Sequence, residues 1–297
     1  IFASEENYGV DQIDIDLNAD TDVLYQCAEE CTITLTETLL RPACIRATHD
    51  ASTHALVKNG CSVTINGILS GKLSAAGDAP EYSALFKAAN FAETVTPATS
   101  AAYNTTTTRQ AGLTLVKDEF GVDNTESRRM FATGVQGNLS FTMNANEFAK
   151  YAFTGTGLDF NVPGADLQNF EAATGKPLLD NTGSAVTYTG GYGYSSKSPM
   201  VCKSMTATVA GTSYNLSTIS IDTAFGTGTL DTVNGATTYS QAFNTRGDDA
   251  PVTGSFNLVS SGADYDDFLA KWPAGTTAAL VFAVTDGTDT MLDMLQA

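Results

Sequence analysis

The chain has 297 residues, of which 42% are hydrophobic and only 16% charged, with Asp+Glu 33 against Lys+Arg 15 and a net charge of −18. That is enough chain for one large domain or two modest ones, and the low charge suits a surface packed against copies of itself. The sign argues against a groove that grips nucleic acid, and with no run of eighteen apolar residues no transmembrane helix is expected.

Residues 1–30 open the chain as an acidic arm: Glu5, Glu6, Asp11, Asp14, Asp16, Asp20, Asp22, Glu29 and Glu30 occur without one Lys or Arg. The arm is expected either solvated or ordered against a neighbouring subunit. Asp14 and Asp16 have the spacing of two calcium ligands, but the rest of a twelve-residue loop is missing. The alternation Ile33, Leu35 predicts a strand to about Leu40, ended by Arg41-Pro42, and 47–60 reads as a polar connection. A second strand is predicted over 61–73, with Val63, Ile65, Ile68 and Leu69 as its apolar positions.

Residues 78–93 carry a helical signal. Tyr82, Leu85, Phe86 and Ala89 fall at i, i+3, i+4 and i+7, with Asp78 as N-cap, Pro80 in the first turn and Glu81 favourable to the dipole. Thr94–Thr108 reads as a Thr/Ala/Ser loop. A strand at Leu113–Val116 and an acidic turn at Asp118–Ser127 follow. Then Phe131–Met143 and Phe148–Thr156 form a predicted hairpin.

Nine Gly and Pro positions across 157–198 predict a linker or insertion between a first domain, 1–156, and a second, 199–297. The second domain has predicted strands at 206–209, 214–225, 237–243, 256–259 and 279–284. It also repeats the helix: Tyr265, Phe268, Leu269 and Trp272 stand at the same four offsets as in the first. A strand followed by a similar helix in each half points to internal duplication.

Chemistry-bearing motifs are sparse. There is no nucleophile elbow, P-loop or dinucleotide fingerprint. Cys27-x-x-x-Cys31 lacks a second pair at ligand spacing, and His49 and His54 lie among polar residues. The cysteines (27, 31, 44, 61 and 202) form no disulfide-scaffold pattern and read as reduced thiols. No catalytic, metal-binding or cofactor-binding residue is assigned, and the chain is expected not to be an enzyme.

The order of short motifs carries more. Glu6-Asn7-Tyr8-Gly9-Val10-Asp11 leads to Leu39-Leu40-Arg41-Pro42, then Gly67-Ile68-Leu69-Ser70-Gly71. Gly77-Asp78-Ala79-Pro80-Glu81-Tyr82, Leu85-Phe86-Lys87-Ala88-Ala89 and Phe91-Ala92-Glu93-Thr94 come next. Gly134-Val135-Gln136-Gly137-Asn138-Leu139-Ser140-Phe141 then leads to Phe153-Thr154-Gly155. This series resembles the major tail tube protein of long-tailed bacteriophages, in the larger form with a duplicated tube domain. The match is best over 1–156 and weaker through Leu216–Asp222 and Pro251–Leu258. One departure is Asn90-Phe91, where the family's helix ends in cysteine-glycine; asparagine also tolerates the left-handed conformation.

The resemblance implies a mainly β protein of two tail-tube-type β-sandwiches, each with a short flanking helix, whose strands join into the inner β-barrel of a ring. It implies a virion protein whose partners are other copies of itself, the tape measure protein and the tail terminator and tip proteins. The rings, expected to be homotrimers with pseudo-sixfold symmetry, would stack into a tube. DNA would pass through its acidic lumen without specific binding, and neither cofactor nor membrane is implied. The competing expectation is another self-assembling or adhesive β-sandwich of a surface layer or fibre, with a carbohydrate-active enzyme a distant third.

Overall fold

The computed structural model describes residues 2–6, 30–40, 55–69, 79–80, 82–106, 110–120, 127–161, 178–179, 185–186, 199–230, 241–245, 252–259, 261–271, 280–285 and 290–296. Up to residue 161 the strands are β1 (Phe2–Glu6), β2 (Glu30–Leu40), β3 (Ala55–Ile68), β4 (Phe91–Thr96), β5 (Ser100–Thr105), β6 (Gly112–Phe120), β7 (Ser127–Asn144), β8 (Lys150–Gly157) and β9 (Asp159–Asn161). Beyond it come β10 (Leu178–Leu179), β11 (Ala185–Val186), β12 (Ser204–Val209), β13 (Thr212–Asp222), β14 (Gly226–Leu230) and β15 (Gln241–Thr245). The last strands are β16 (Thr253–Leu258), β17 (Leu280–Thr285) and β18 (Thr290–Gln296). The described helices are α1 (Ser83–Ala88) and α2 (Gly262–Lys271). The protein is mainly β, and its paired strands are antiparallel.

Most strands share one 12-stranded sheet whose main path runs β18-β17-β12-β13-β7-β8-β3-β2. Two strands give it its shape by changing partners along their length. The first part of β7, up to Val135, pairs with β6 and β9, and its last part, from Gln136, pairs with β8 and β13. The change falls at Gly134, whose φ of 63° lies in the left-handed region. A Cβ there would stand 2.4 Å from Leu158 Cδ1, so conformation and space both require glycine. In the same way β13 pairs with β12 over Thr212–Asn215, with β7 over Thr218–Asp222 and with β16 over Leu216–Asp222.

The stretch 157–198, expected as a boundary, lies largely outside the described residues. On either side of it the chain returns to the same sheet. The re-entry is stitched in by backbone bonds: Met200 N–H to Leu69 O (3.1 Å), Ala149 N–H to Met200 O (3.1 Å) and Cys202 N–H to Glu147 O (2.9 Å). The buried cluster is also continuous, taking Val63, Ile65, Leu85, Leu139 and Phe153 from before the stretch and Met205, Ile219, Ile221, Phe282 and Val284 from after it.

The predicted buried face of the first helix is present: Tyr82, Leu85, Phe86 and Ala89 are all buried. The helix itself is only six residues long. Tyr82 holds the N-cap position, and its side chain does not cap the helix; Asp78 lies outside the described residues. At the other end Asn90 takes a φ of 62°, and its N–H bonds Lys87 O at 2.8 Å. Residues 91–93, expected to be helical, instead begin β4.

Other expectations are corrected in the same way. Thr94–Thr108 is no loop at its start: β4 and β5 form a hairpin around the turn at Pro97–Thr99. Residues 55–60 of the polar connection belong to β3, which pairs with β2 as far as Leu40. Part of the acidic turn, Asp118–Phe120, continues β6. From the acidic arm, Phe2–Glu6 pairs with Gly112–Val116 of the same chain, and 7–29 lie outside the described residues.

The second helix does not repeat the first. Phe268 packs edge-on against Tyr214 and Phe256, but Tyr265 is 52% exposed and Leu269 44% exposed. Trp272 lies outside the described residues.

Candidate assembly surface

Alternation in the six neighbouring strands β16-β13-β7-β8-β3-β2 sorts their side chains onto two faces. The register puts Ile65 beside Phe153 and Leu139, Gly67 beside Tyr151, Phe141 and Ile221, and Met143 beside Ile219 and Phe256. This face is the core. Gly137 and Gly155 stand opposite each other in it, and a Cβ on Gly137 would lie 2.2 Å from Thr154 O and 2.7 Å from the Phe153 ring. That ring therefore lies across two bare backbones, where any side chain would push the strands apart.

The other face is largely hydroxyls and amides, with Ala152 and Ile68 among them. One row reads Thr32, Thr64, Thr154, Asn138, and the next Thr34, Ser62, Thr156, ending at Gln136, which is buried and donates to Gln110 O at 3.5 Å. Further rows bring Thr142, Ser220 and Ser255 into line, then Asn144, Thr218 and Asn257. With strands about 4.8 Å apart and alternate residues about 6.8 Å apart, they form a regular polar carpet. Among the described residues its charges are Glu30, Asp222 and Lys150. Both acids are held by amides: Asn66 Nδ2 donates to Glu30 Oε2 at 3.0 Å, and Asn138 Nδ2 donates to Asp222 Oδ1 at 2.6 Å. Most of the chain's acidic surplus is therefore elsewhere. The carpet draws on both halves of the chain, β2, β3, β7 and β8 from the first and β13 and β16 from the second.

The join between the halves is fastened at one corner of this face. Thr223, itself buried, accepts the Leu139 N–H at 3.2 Å and lies within hydrogen-bond reach of Asn138 Oδ1. Phe225 N–H also donates to Asn138 Oδ1, at 3.1 Å. The Asp222 carboxylate accepts the Ala224 N–H at 2.8 Å, which turns the chain out of β13.

At both ends of the six strands lie edges. β2 pairs with β3 on one side, and β16 with β13, and among the described residues nothing pairs with their outer sides. Beyond the end of β8, residues 36–40 and 55–60 continue as a two-stranded extension of the β2–β3 hairpin.

Each helix is tied to neighbouring strands by an ion-pair cluster over aromatic rings. At α1, Lys87 Nζ sits 3.2 Å from Glu93 Oε1, and Tyr103 donates to Glu93 Oε2 at 2.7 Å. Phe86 stacks on Tyr103 with ring centres 4.2 Å apart and meets Phe91 and Phe141 on its other sides. Burial raises the Glu93 pKa, but hydrogen bonds from Tyr103 and Ser83 and the charge of Lys87 outweigh it and leave it below the ordinary value. Burial, reinforced by Glu93, pushes the Tyr103 hydroxyl well above its usual range.

At α2, Lys271 Nζ donates to Asp267 Oδ2 at 2.7 Å, Tyr214 Oη at 2.9 Å and Thr212 Oγ1 at 2.6 Å. The bond from Lys271, then that from Tyr214, lowers the Asp267 pKa, while Asp267 raises that of Lys271. Ser261 caps this helix: its hydroxyl and N–H both reach Asp264 Oδ2, at 2.8 and 3.2 Å.

Cys61 and Cys202 are buried in the core, and Cys31 is half-buried on β2; burial raises the Cys202 thiol. Cys27, Cys44, His49, His54, Asp14 and Asp16 lie outside the described residues. Among the described residues no group of three His, Cys, Asp or Glu is placed to hold a metal ion, and no helix is long and apolar enough to cross a membrane. The polar carpet was signalled in the sequence by its Thr-x-Thr alternation; the hairpin at 91–105 had no such signal. No protein-family model matches the chain, and no curated protein does.

Proposed function

We propose that this chain is a self-assembling structural subunit of a tube, of the kind from which long-tailed phage tails are built, and that the hydroxyl and amide carpet faces the lumen. One observation carries the reading: a polar face drawn from six strands of both halves has Lys150 as the one cation of its described rows, while its reverse is core. Its two carboxylates, Glu30 and Asp222, are tied to amides. A wall over which a polyanion must slide requires few cations, because each phosphate neutralised adds adhesion.

The edges at β2 and β16, unpaired among the described residues, support the same reading. They bound the carpet at its two ends, so the edge of one copy meets the opposite edge of the next. Such a heterologous contact closes into a ring when the rotation permits, and closure removes the exposed edges. The β2–β3 extension stands beyond the carpet, where a neighbouring ring would be met. Three chains, each supplying two halves, would give a pseudo-sixfold ring. Tape measure and terminator proteins are the partners such a tube has, and a virion is its location.

Negative-stain microscopy of the purified protein tests the proposal. Rings or tubes with three chains per ring are expected, together with no retention of double-stranded DNA at low salt. Particles that stay monomeric at all concentrations, or tubes that bind DNA in a salt-dependent way, would overturn it.

A further inference from the structure

The hairpin β4–β5 forms a sheet of its own: its two strands bond to each other, and no other described strand pairs with either. Its base is anchored by Phe91 and Tyr103 on Phe86 and by Asn90, whose Nδ2 donates to Thr106 O at 2.8 Å. Among the described residues its tip has no such anchor. Val95, on the same face as Phe91 and Glu93, is 42% exposed, and on the opposite face Thr94, Thr96, Ser100, Ala102 and Asn104 are exposed.

From Thr94 to Thr106 there is no Asp, Glu, Lys or Arg. Edges that stay exposed in monomers are blunted by charge, proline or bulges, and here the single proline stands in the turn. An isolated two-stranded hairpin is marginal in water. The charge pattern selects the place where two copies meet. Copies of a chain at −18 repel, so they approach most closely where neither carries charge. The exposed Val259, Tyr265 and Leu269 around α2 are a poorer self-contact, since Asp264 and Asp266 collar them.

We propose that the tip of this hairpin, Thr94–Ala102, is a self-association element that adds to and packs against a second copy of this chain. The inference rests on the self-assembly reading only in taking a second copy as the occupant.

Sedimentation velocity on the full-length chain tests it. Wild type is expected to associate with rising concentration, and more strongly at higher salt, because the contact is uncharged while the rest of the surface repels. The variant V95E/A102E keeps its circular dichroism spectrum and associates about tenfold or more weakly, since each buried like charge opposes the contact. Should the double variant fail to fold, A102E alone, on the solvent side, gives the same reading. L269E on α2 leaves association unchanged.

Undiminished association of the hairpin variants, loss on L269E alone, or a wild type monomeric at every concentration and salt would overturn the proposal. The two readings separate: hairpin-dependent association without rings or tubes upholds this inference and removes the tube, whereas normal tubes from V95E/A102E do the reverse.

Discussion

At Asn90 one side chain decides where a helix stops and how the chain enters the hairpin. Its backbone takes the left-handed conformation, its amide donates to Thr106 O, and its carbonyl oxygen accepts the Gln110 N–H at 3.2 Å. Asn90→Ala loses both bonds and adds left-handed strain, so a loss of about 1–3 kcal/mol is expected in urea unfolding. Asn90→Gly keeps the conformation and should lose less. Glu93 supplies a pH-dependent contribution. Its folded pKa lies below the unfolded one, so its stabilisation is complete above the ordinary carboxylate range and is lost as pH falls through the folded value. Wild type should therefore lose stability relative to Glu93→Gln below about pH 4.3, with little difference in slope at neutral pH. Equal acid limbs in the two proteins would remove Glu93 from that role. Asn90 was legible as a residue that tolerates the left-handed conformation at the helix end, but its bonds to 106 and 110 were not, because nothing local signals them.

Helices α1 and α2 show how a shared spacing leads to different burial. Apolar offsets of 0, 3, 4 and 7 read identically at Tyr82 and Tyr265, yet only the first set has rings of β4, β5, β7 and β8 to pack on. Phe86→Ala should cost roughly 3–5 kcal/mol. Leu269→Ala, at a 44% exposed position, should change the stability of the isolated chain by less than about 0.5 kcal/mol. Comparable losses in thermal melts would mean that α2 buries its face after all. Periodicity reports that a face exists, not what covers it. The hairpin at 91–105 was missed for a related reason: beyond its anchored base the Thr and Ala residues of its tip are exposed on both sides and show no core-facing alternation to read. Strands β3, β7 and β8 were legible because one side is core and the other polar.

Across the whole molecule, the step beyond the reach of sequence was the pairing of β7 with β13. Ser140 meets Asp222 and Asn144 meets Thr218, contacts between residues far apart in the chain with no short-range signature. The two halves were expected as separate domains; their shared sheet and core were not legible. Since Ile219, Ile221, Phe282 and Val284 complete a cluster begun by Val63 and Leu139, the full chain should unfold in a single transition. The fragment 1–161 alone should be insoluble, and co-expression with 199–297 should return it to the soluble fraction. A soluble, cooperatively folding 1–161 would show that the halves are independent. The same strand order sets a clock during synthesis. Residues 140–144 leave the ribosome about 80 residues before their partner in β13, an interval of roughly 4–16 s at 5–20 residues per second. On a crowded polysome a neighbouring nascent chain offers the identical β13 at that moment, so exchanged dimers should appear as expression rises and fall away when translation initiates sparsely.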